Sequence, residues 1–155
     1  MTSSPSLNVV LFEPEIPYNT GSVGRTCVAV GAKLWLVRPL GFQIEDRRLR
    51  RAGLDYWQHL DWEAVDDWDA LTERLTGHRF WFFSKKVDAI YTDVEYAAGD
   101  VLVFGSESKG LPQSLLKACE DRCLRIPIRT QARSLNLSVS VAVAAFEACR
   151  QVACG

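Results

Sequence analysis

Residues 101–112 have the sequence Val-Leu-Val-Phe-Gly-Ser-Glu-Ser-Lys-Gly-Leu-Pro, and this stretch indicates the fold class. Four apolar residues predict a buried strand, and the polar segment after them predicts a loop at its carboxyl end. Gly105 and Gly110 permit positive φ and close backbone contact. The glycine spacing does not fit a Walker A loop, and Glu107 would repel a triphosphate. A plain turn into a helix is the alternative.

Apolar runs and helical patterns alternate along the chain, which predicts an α/β fold with a mostly parallel sheet flanked by helices. Predicted strands cover 7–12, 33–37, 79–83, 101–104 and 123–128, and predicted helices cover 19–30, 46–52, 66–76, 113–118 and 137–152. Asn19 is the predicted N-cap of the first helix, and Gly31 its end. The last helix is apolar around its circumference, so we expect it to be buried against both the core and a second subunit.

Composition narrows the class of protein. The chain has 155 residues, 48% apolar and 24% charged, which suits one globular domain over residues 1–155 with a flexible start at residues 1–6. No apolar run approaches the ~20 residues of a membrane span, and there is no signal peptide, so we expect a cytoplasmic protein. The cysteines number five, which argues against a disulfide framework. Cys119 and Cys123 lack further zinc ligands nearby, so we expect no metal site.

The net charge of −1 conceals two arginine clusters. Four arginines occupy the five positions 47–51, and another four lie between residues 122 and 133. Local clusters of this kind can hold a polyanion on one face of a nearly neutral protein. Solvated surface arginines are the alternative for either cluster.

Two further segments carry polar groups next to predicted strands. Residues 19–26 open a helix with two glycines, which indicates either a close approach to its backbone or tight helix–strand packing. Arg25 lies one turn into this helix, where the helix dipole does not favour a cation. Residues 126–138 end a strand and begin a helix with Ser and Asn, which suit either capping or a pocket built from backbone. Ligands of open α/β sheets bind outside the carboxyl ends of strands.

Together these segments resemble the three motifs of the SPOUT RNA methyltransferases. The matching residues are Pro17-x-Asn19-Thr20-Gly21-x-x-x-Arg25-Thr26, then Phe104-Gly105-x-Glu107-x-x-Gly110-Leu111-Pro112, then Ile126-Pro127-Ile128 with Ser134-Leu135-Asn136-Leu137-Ser138. More narrowly, residues 11–17 and 50–57 are similar to segments of the small tRNA (cytidine/uridine-34) 2′-O-methyltransferases. The resemblance covers essentially the whole chain.

The resemblance implies a deep C-terminal trefoil knot, an obligate homodimer and S-adenosylmethionine held in a bent shape by the knotted loops. The implied cofactor contacts are Phe83, Gly105, Ile126, Ser134 and the neighbouring Leu135. The implied catalytic residues are Arg25, Glu107 and Asn136. Gly24 is smaller than the apolar residue expected before the arginine, which loosens the helix locally.

The implied reaction is 2′-O-ribose methylation of the wobble nucleotide of tRNA. Candidate phosphate contacts are Arg47, Arg48, Arg50, Arg51 and Arg129. Trp57 suits either base stacking or burial, and burial is the preferred interpretation. Methylation of another RNA such as ribosomal RNA, or RNA binding without catalysis, are the alternatives. A Rossmann-type oxidoreductase is disfavoured because the dinucleotide glycine fingerprint is absent.

Overall fold

One parallel sheet of six strands organises the protein, in the order β3-β2-β1-β5-β4-β6. The structure is a computed structural model that describes residues 4–45, 47–52 and 56–153, the side chains of Arg50 and Ala52 excepted. The strands are β1 (Asn8–Phe12), β2 (Lys33–Val37), β3 (Trp62–Val65), β4 (Phe80–Phe83), β5 (Val101–Phe104) and β6 (Cys123–Leu124). The helices are α1 (Pro17–Val30), α2 (Arg47–Ala52), α3 (Trp68–Arg74), α4 (Gln113–Ala118) and α5 (Leu137–Val152). The predicted α/β class with flanking helices is therefore confirmed.

Alternate residues of the strands point to opposite faces of the sheet, and each face has its own core. On one face, Leu11, Leu34 and Leu102 pack in a cluster with Val23 of α1 and Val141 of α5. The opposite cluster contains Val10, Trp35 and Val103 of the sheet, with Leu71 of α3 and Leu116 of α4. Since every strand is parallel, all six carboxyl ends meet at one edge of the sheet.

The first helix begins earlier than the sequence predicts. Pro17 occupies the first turn, where its missing N–H costs no hydrogen bond, and the cap residue Ile16 offers no side-chain bond. The prediction that Asn19 caps this helix is therefore wrong, because Asn19 lies buried inside the first turn. Gly31 ends the helix as predicted, with φ of 74° and its N–H donating to the carbonyls of Cys27 and Val28.

Two strands differ from the prediction. β3 was not predicted, because Asp61 and Glu63 give this segment an acidic pattern. Lys33 of β2 forms ion pairs with both carboxylates. β6 has only two residues instead of the predicted 123–128, since the chain leaves the sheet before Pro127, which has no N–H to donate to a strand. The last helix is confirmed as α5, and Asn136 is its N-cap.

Smaller expectations have mixed outcomes. Ser6 is anchored, with its N–H donating to the Gly31 carbonyl at 3.1 Å and its hydroxyl to the Val30 carbonyl at 2.7 Å, whereas residues 1–3 lie outside the described part. The predicted helix start at residue 46 and residues 53–55 of the quoted motif also lie outside it. No helix in the described ranges is long and apolar enough to cross a membrane. No group of His, Cys, Asp or Glu side chains among these residues is placed to hold a metal ion.

Candidate active site

A cavity of about 590 Å³ lies beyond the carboxyl ends of β4 and β5. It is enclosed by the loop after β5, by the segment after β6 and by the start of α5. The structure brings every cofactor residue implied by the sequence to its lining: Phe83, Gly105, Ile126, Ser134 and Leu135. Glu107 and Asn136 also line it, whereas Arg25 does not.

The loop after β5 folds back on itself and requires a glycine at its start. A Cβ atom on Gly105 would lie 2.1 Å from the carbonyl carbon of Gly110, a distance that no rearrangement of side chains could relieve. Gly110 has φ of 68°, and its N–H donates to the carbonyl of Ser106 at 2.9 Å. Glycine is thus needed at position 110 because φ is positive there, and at position 105 because the backbone of the loop approaches so closely.

The cavity has an apolar floor and a polar, basic rim. The rings of Phe83 and Phe104 stack with centroids 4.7 Å apart and planes 12° apart. Lysines at the rim were missed by sequence reasoning: Lys85, Lys86 and Lys109. The pair Lys85–Lys86 follows the end of a buried strand after one intervening residue, Ser84, which is a signal similar to that of the glycine loop.

Two carboxylates join the glycine loop to the beginning of α1. Glu107 accepts hydrogen bonds from the backbone N–H groups of Glu15 and Ile16, both at 2.8 Å, and from Asn19 Nδ2 at 3.2 Å. Glu15 in turn accepts from the backbone N–H of Ser108 at 2.8 Å and from its hydroxyl at 2.7 Å. The hydrogen bonds from Ser108 lower the pKa of Glu15. Glu107 therefore supplies hydrogen-bond acceptors at the positive end of a helix that has no cap side chain of its own.

Asn136 extends this network to α5. Its Oδ1 accepts from the backbone N–H of Ser138 at 2.9 Å, and its Nδ2 donates to Asn19 Oδ1 at 3.1 Å. Asn19 thus bonds to both Glu107 and Asn136 and links the starts of two helices. Glu107 and Asn136, which the resemblance matched to catalytic positions, therefore hold the walls of the cavity in place.

Arg25 lies two turns along α1 from Asn19 and faces outward. Its guanidinium carbon lies 4.7 Å from the centroid of the Tyr56 ring. Tyr18 lies seven positions earlier on the same helix face and is 58% exposed. Arg25 is therefore displayed on the outer surface of α1, outside the cavity of its own chain.

The arginines of α2 share this side of the molecule. Arg47, Arg48 and Arg51 are exposed, whereas Leu49 is fully buried, and α2 packs against α1. Arg129 is exposed and lies on the segment after β6. The side chain of Arg50, another candidate, lies outside the described residues.

Trp57 packs into the protein, as the burial interpretation expects. Its ring centroid lies 5.4 Å from that of Trp62, and it also contacts α1 at Gly24.

A parallel sheet with a ligand-sized cavity beyond its carboxyl ends defines an α/β protein with a candidate small-molecule site. Residues 6–146 match the SpoU rRNA Methylase family, and the chain belongs to this family of methyltransferases. The resemblance inferred from the motifs is thereby confirmed.

Three similar proteins illustrate the relationship. A tRNA (cytidine(34)-2′-O)-methyltransferase of Saccharophagus degradans is 46% identical over 148 residues, covering 94% of this chain and 95% of that protein. A solved structure concerning the 2-OH methylation of C/U34 on tRNA has a TM-score of 0.91 at 46% identity, covering 95% of this chain and 96% of that one. An AdoMet-bound rRNA methyltransferase of Sinorhizobium meliloti has a TM-score of 0.84 at 26% identity, covering 94% of this chain and 56% of that one.

Proposed function

We propose that this protein transfers a methyl group from S-adenosylmethionine to the ribose 2′-oxygen of a cytidine or uridine at the wobble position of tRNA. The observation that carries the proposal is the meeting of Phe83, Gly105, Ile126 and Ser134, from separate parts of the chain, around one cavity. The printed functions of the two proteins at 46% identity support the choice of tRNA and of nucleotide.

The residues around the cavity suit S-adenosylmethionine. Its volume of about 590 Å³ lies inside the range of ~300–1,000 Å³ typical of small-molecule sites. Apolar walls from Phe83, Ile126 and Leu135 suit an adenine ring, and the backbone groups of the loop after β5 suit its ribose and amino-acid part. The AdoMet-bound relative supports the same ligand.

The bound cofactor supplies an electrophilic methyl group and a good leaving group, so the protein's main task is alignment. The loops joined by Glu107 and Asn136 keep the cavity walls fixed. Arg25 binds the phosphate next to the target ribose and stabilises the developing alkoxide, while the 2′-hydroxyl proton passes to that phosphate or to solvent. Proton acceptance assisted by that phosphate is the second possibility for this residue.

A homodimer would complete the site, since Arg25 lies outside its own chain's cavity. Exposed apolar residues lie near the start of α1 and along α5: Ile16, Tyr18, Val139 and Phe146. Val139 and Phe146 are seven positions apart and lie on one helix face, and α5 packs beside α1. An exposed apolar patch of this kind is typical of an interface.

Light scattering tests the dimer. Phe146→Glu should yield monomers, and Lys117→Glu on the opposite face of the sheet should leave the dimer intact. A monomeric wild-type protein that methylates tRNA at full rate contradicts the proposal.

We also propose that the single domain carries the trefoil knot. The segment between β4 and β5 holds the chain after β6: Arg125 donates its N–H to Ala89 at 2.7 Å and accepts from Tyr91 at 3.0 Å. The same segment then reaches α5, where Tyr96 donates its N–H to Gln151 at 2.9 Å. These contacts support a loop through which the C-terminal segment has passed. An experimental chain trace in which residues 125–152 run outside that loop would exclude the knot.

Mass spectrometry of nucleosides tests the activity. Purified protein, S-adenosylmethionine and unmodified tRNA should yield a 2′-O-methylated nucleotide at position 34. Cytoplasmic tRNA from a deletion strain should lack that modification. Methylation of ribosomal RNA alone would favour the alternative substrate, and cofactor binding without methylation of any RNA would favour a non-catalytic role.

A further inference from the structure

The geometry points to Tyr56 as a positioning residue for the reaction: its ring holds the guanidinium of Arg25 without neutralising it or occupying its N–H groups. This inference rests on the proposed function, because it concerns the residue that would contact the RNA. Arg25 is exposed, and its guanidinium carbon lies 4.7 Å from the centroid of the Tyr56 ring. That distance is well within the range of a cation–π contact.

The contact with the ring provides no carboxylate or carbonyl acceptor for the guanidinium N–H groups. Within the described ranges, no carboxylate forms an ion pair with Arg25. A carboxylate partner would consume the N–H groups that must bind a phosphate and a developing alkoxide, because guanidinium donors lie along its edge. An aromatic ring restricts the long side chain and keeps both the charge and the donors available.

The turn that carries Tyr56 is fixed against α1 at the residue before Arg25. A Cβ atom on Gly24 would lie 3.0 Å from Leu60 Cδ2 and 3.1 Å from the Trp57 ring, so these side chains occupy the space that a larger residue would need. Backbone hydrogen bonds close the same turn, from His59 to Tyr56 at 2.9 Å and from Leu60 to Trp57 at 3.1 Å. Gly24 therefore lets the turn approach the helix, and Tyr56 lies against the side chain of Arg25.

This arrangement explains the departure from the family motif at Gly24. Trp57 fills the space beside Gly24 that a larger side chain would occupy, and it also packs on Trp62 at a centroid distance of 5.4 Å. The glycine loosens the helix, and the packed turn supports it from outside. The Tyr56 ring then stabilises the guanidinium of Arg25, although the helix dipole does not favour a cation there.

Two variants separate the ring face from simple bulk. Tyr56→Phe keeps the aromatic face, whereas Tyr56→Leu removes the aromatic face and keeps an apolar side chain. With saturating tRNA and S-adenosylmethionine, single-turnover methyl transfer should retain at least half of its rate constant in Tyr56→Phe. It should fall by roughly 3- to 30-fold in Tyr56→Leu, the range expected when a cation–π interaction is removed. The affinity for S-adenosylmethionine should not change in either variant.

A second measurement does not depend on activity. In nitrogen-15-labelled protein, the Arg25 Nε–H resonance should carry a ring-current shift in the wild type and in Tyr56→Phe, and should lose it in Tyr56→Leu. If the wild type fails to methylate tRNA but the shift is present, the proposed function fails while the contact between the Tyr56 ring and Arg25 stands.

Three outcomes overturn the inference. Equal losses of rate in Tyr56→Phe and Tyr56→Leu would assign the effect to the hydroxyl. A loss confined to tRNA affinity, with the single-turnover rate intact, would make Tyr56 a base-stacking residue. Absence of the ring-current shift in the wild type would show that the ring does not hold Arg25 in solution.

Discussion

The cavity edge and the outer face of α1 differ in how extensively their side chains bond to other parts of the same chain. At the cavity, Glu107 and Glu15 each accept hydrogen bonds from the loop opposite, and Asn19 joins these loops to α5 through Asn136. On the outer face, Arg25 has the Tyr56 ring as its neighbour and stays exposed. The cofactor half of the proposed site is thus built by one chain, whereas the RNA half is displayed outward. Mutations should therefore damage the two halves separately.

The largest separation is expected at Arg25. Arg25→Ala removes the proposed stabiliser of the alkoxide and should lower the rate of methyl transfer by roughly 10²- to 10³-fold, the cost of losing one such donor. Cofactor affinity should survive, because Arg25 does not line the cavity. Single-turnover kinetics and calorimetry measure the two quantities. Lys117→Ala, an exposed residue of α4, is the control, and wild-type turnover by Arg25→Ala would remove this residue from the mechanism.

The opposite separation is expected at Gly105. Gly105→Ala places a Cβ atom 2.1 Å from the backbone of Gly110, so the loop must move. Overpacking of this kind costs about 1–3 kcal/mol, and we expect cofactor affinity to fall by roughly 2- to 10-fold if half of that cost falls on the bound conformation. tRNA affinity without cofactor should change little.

Gly77→Ala is the matched control for strain. Gly77 has φ of 86°, and a Cβ atom there meets nothing within 4 Å. This variant should lose stability through its backbone conformation alone and should keep cofactor affinity. Equal loss of cofactor affinity in both variants would assign the effect of Gly105→Ala to general destabilisation.

The two regions also differ in how far sequence reasoning could reach. Strand bounds such as 33–37 and 101–104 were predicted correctly, because apolar runs between turn residues report burial directly. Motif resemblance predicts the cofactor contacts, and the structure brings these residues together at one cavity. Asn19 was misassigned as a cap because a polar residue near Pro17 satisfies the capping pattern even when it lies inside the helix.

Interactions between distant parts of the chain were beyond prediction. Glu15 and Ser108 are separated by 93 positions, and no local pattern connects them. Arg25 appeared as a cation placed against the helix dipole, but Tyr56 could not be named as its neighbour, since the packing depends on the empty space at Gly24. The proposed knot would likewise be a property of chain threading, which hydrophobic periodicity does not report.

A smaller effect is expected from the arginines of α2. The double variant Arg47→Ala/Arg51→Ala should weaken tRNA binding and reduce the slope of log K against log salt by roughly one for each phosphate that is no longer neutralised. Cofactor affinity should not change, because neither residue lines the cavity. Filter binding between low and moderate salt measures the slope. An unchanged slope would show that both arginines are solvated surface residues that do not contact RNA phosphates.

The smallest effect concerns the pH dependence of the cavity edge. The pKa of Glu15 is lowered from 4.5 in the folded protein, chiefly by the Ser108 hydroxyl and then by the Ser108 backbone N–H. A carboxyl whose folded pKa is lowered stabilises the protein above its unfolded pKa, and this contribution is lost as pH falls through the folded value. The stability difference between wild type and Ser108→Ala should therefore be constant above pH 4.5 and shrink below it. Thr76→Ala, whose hydroxyl donates only to the carbonyls of Thr72 and Glu73, should show a constant difference over the same range. Parallel curves for the two variants in denaturant unfolding would mean that the Ser108 bond to Glu15 is absent in solution, and the cavity edge would then be held by Glu107 alone.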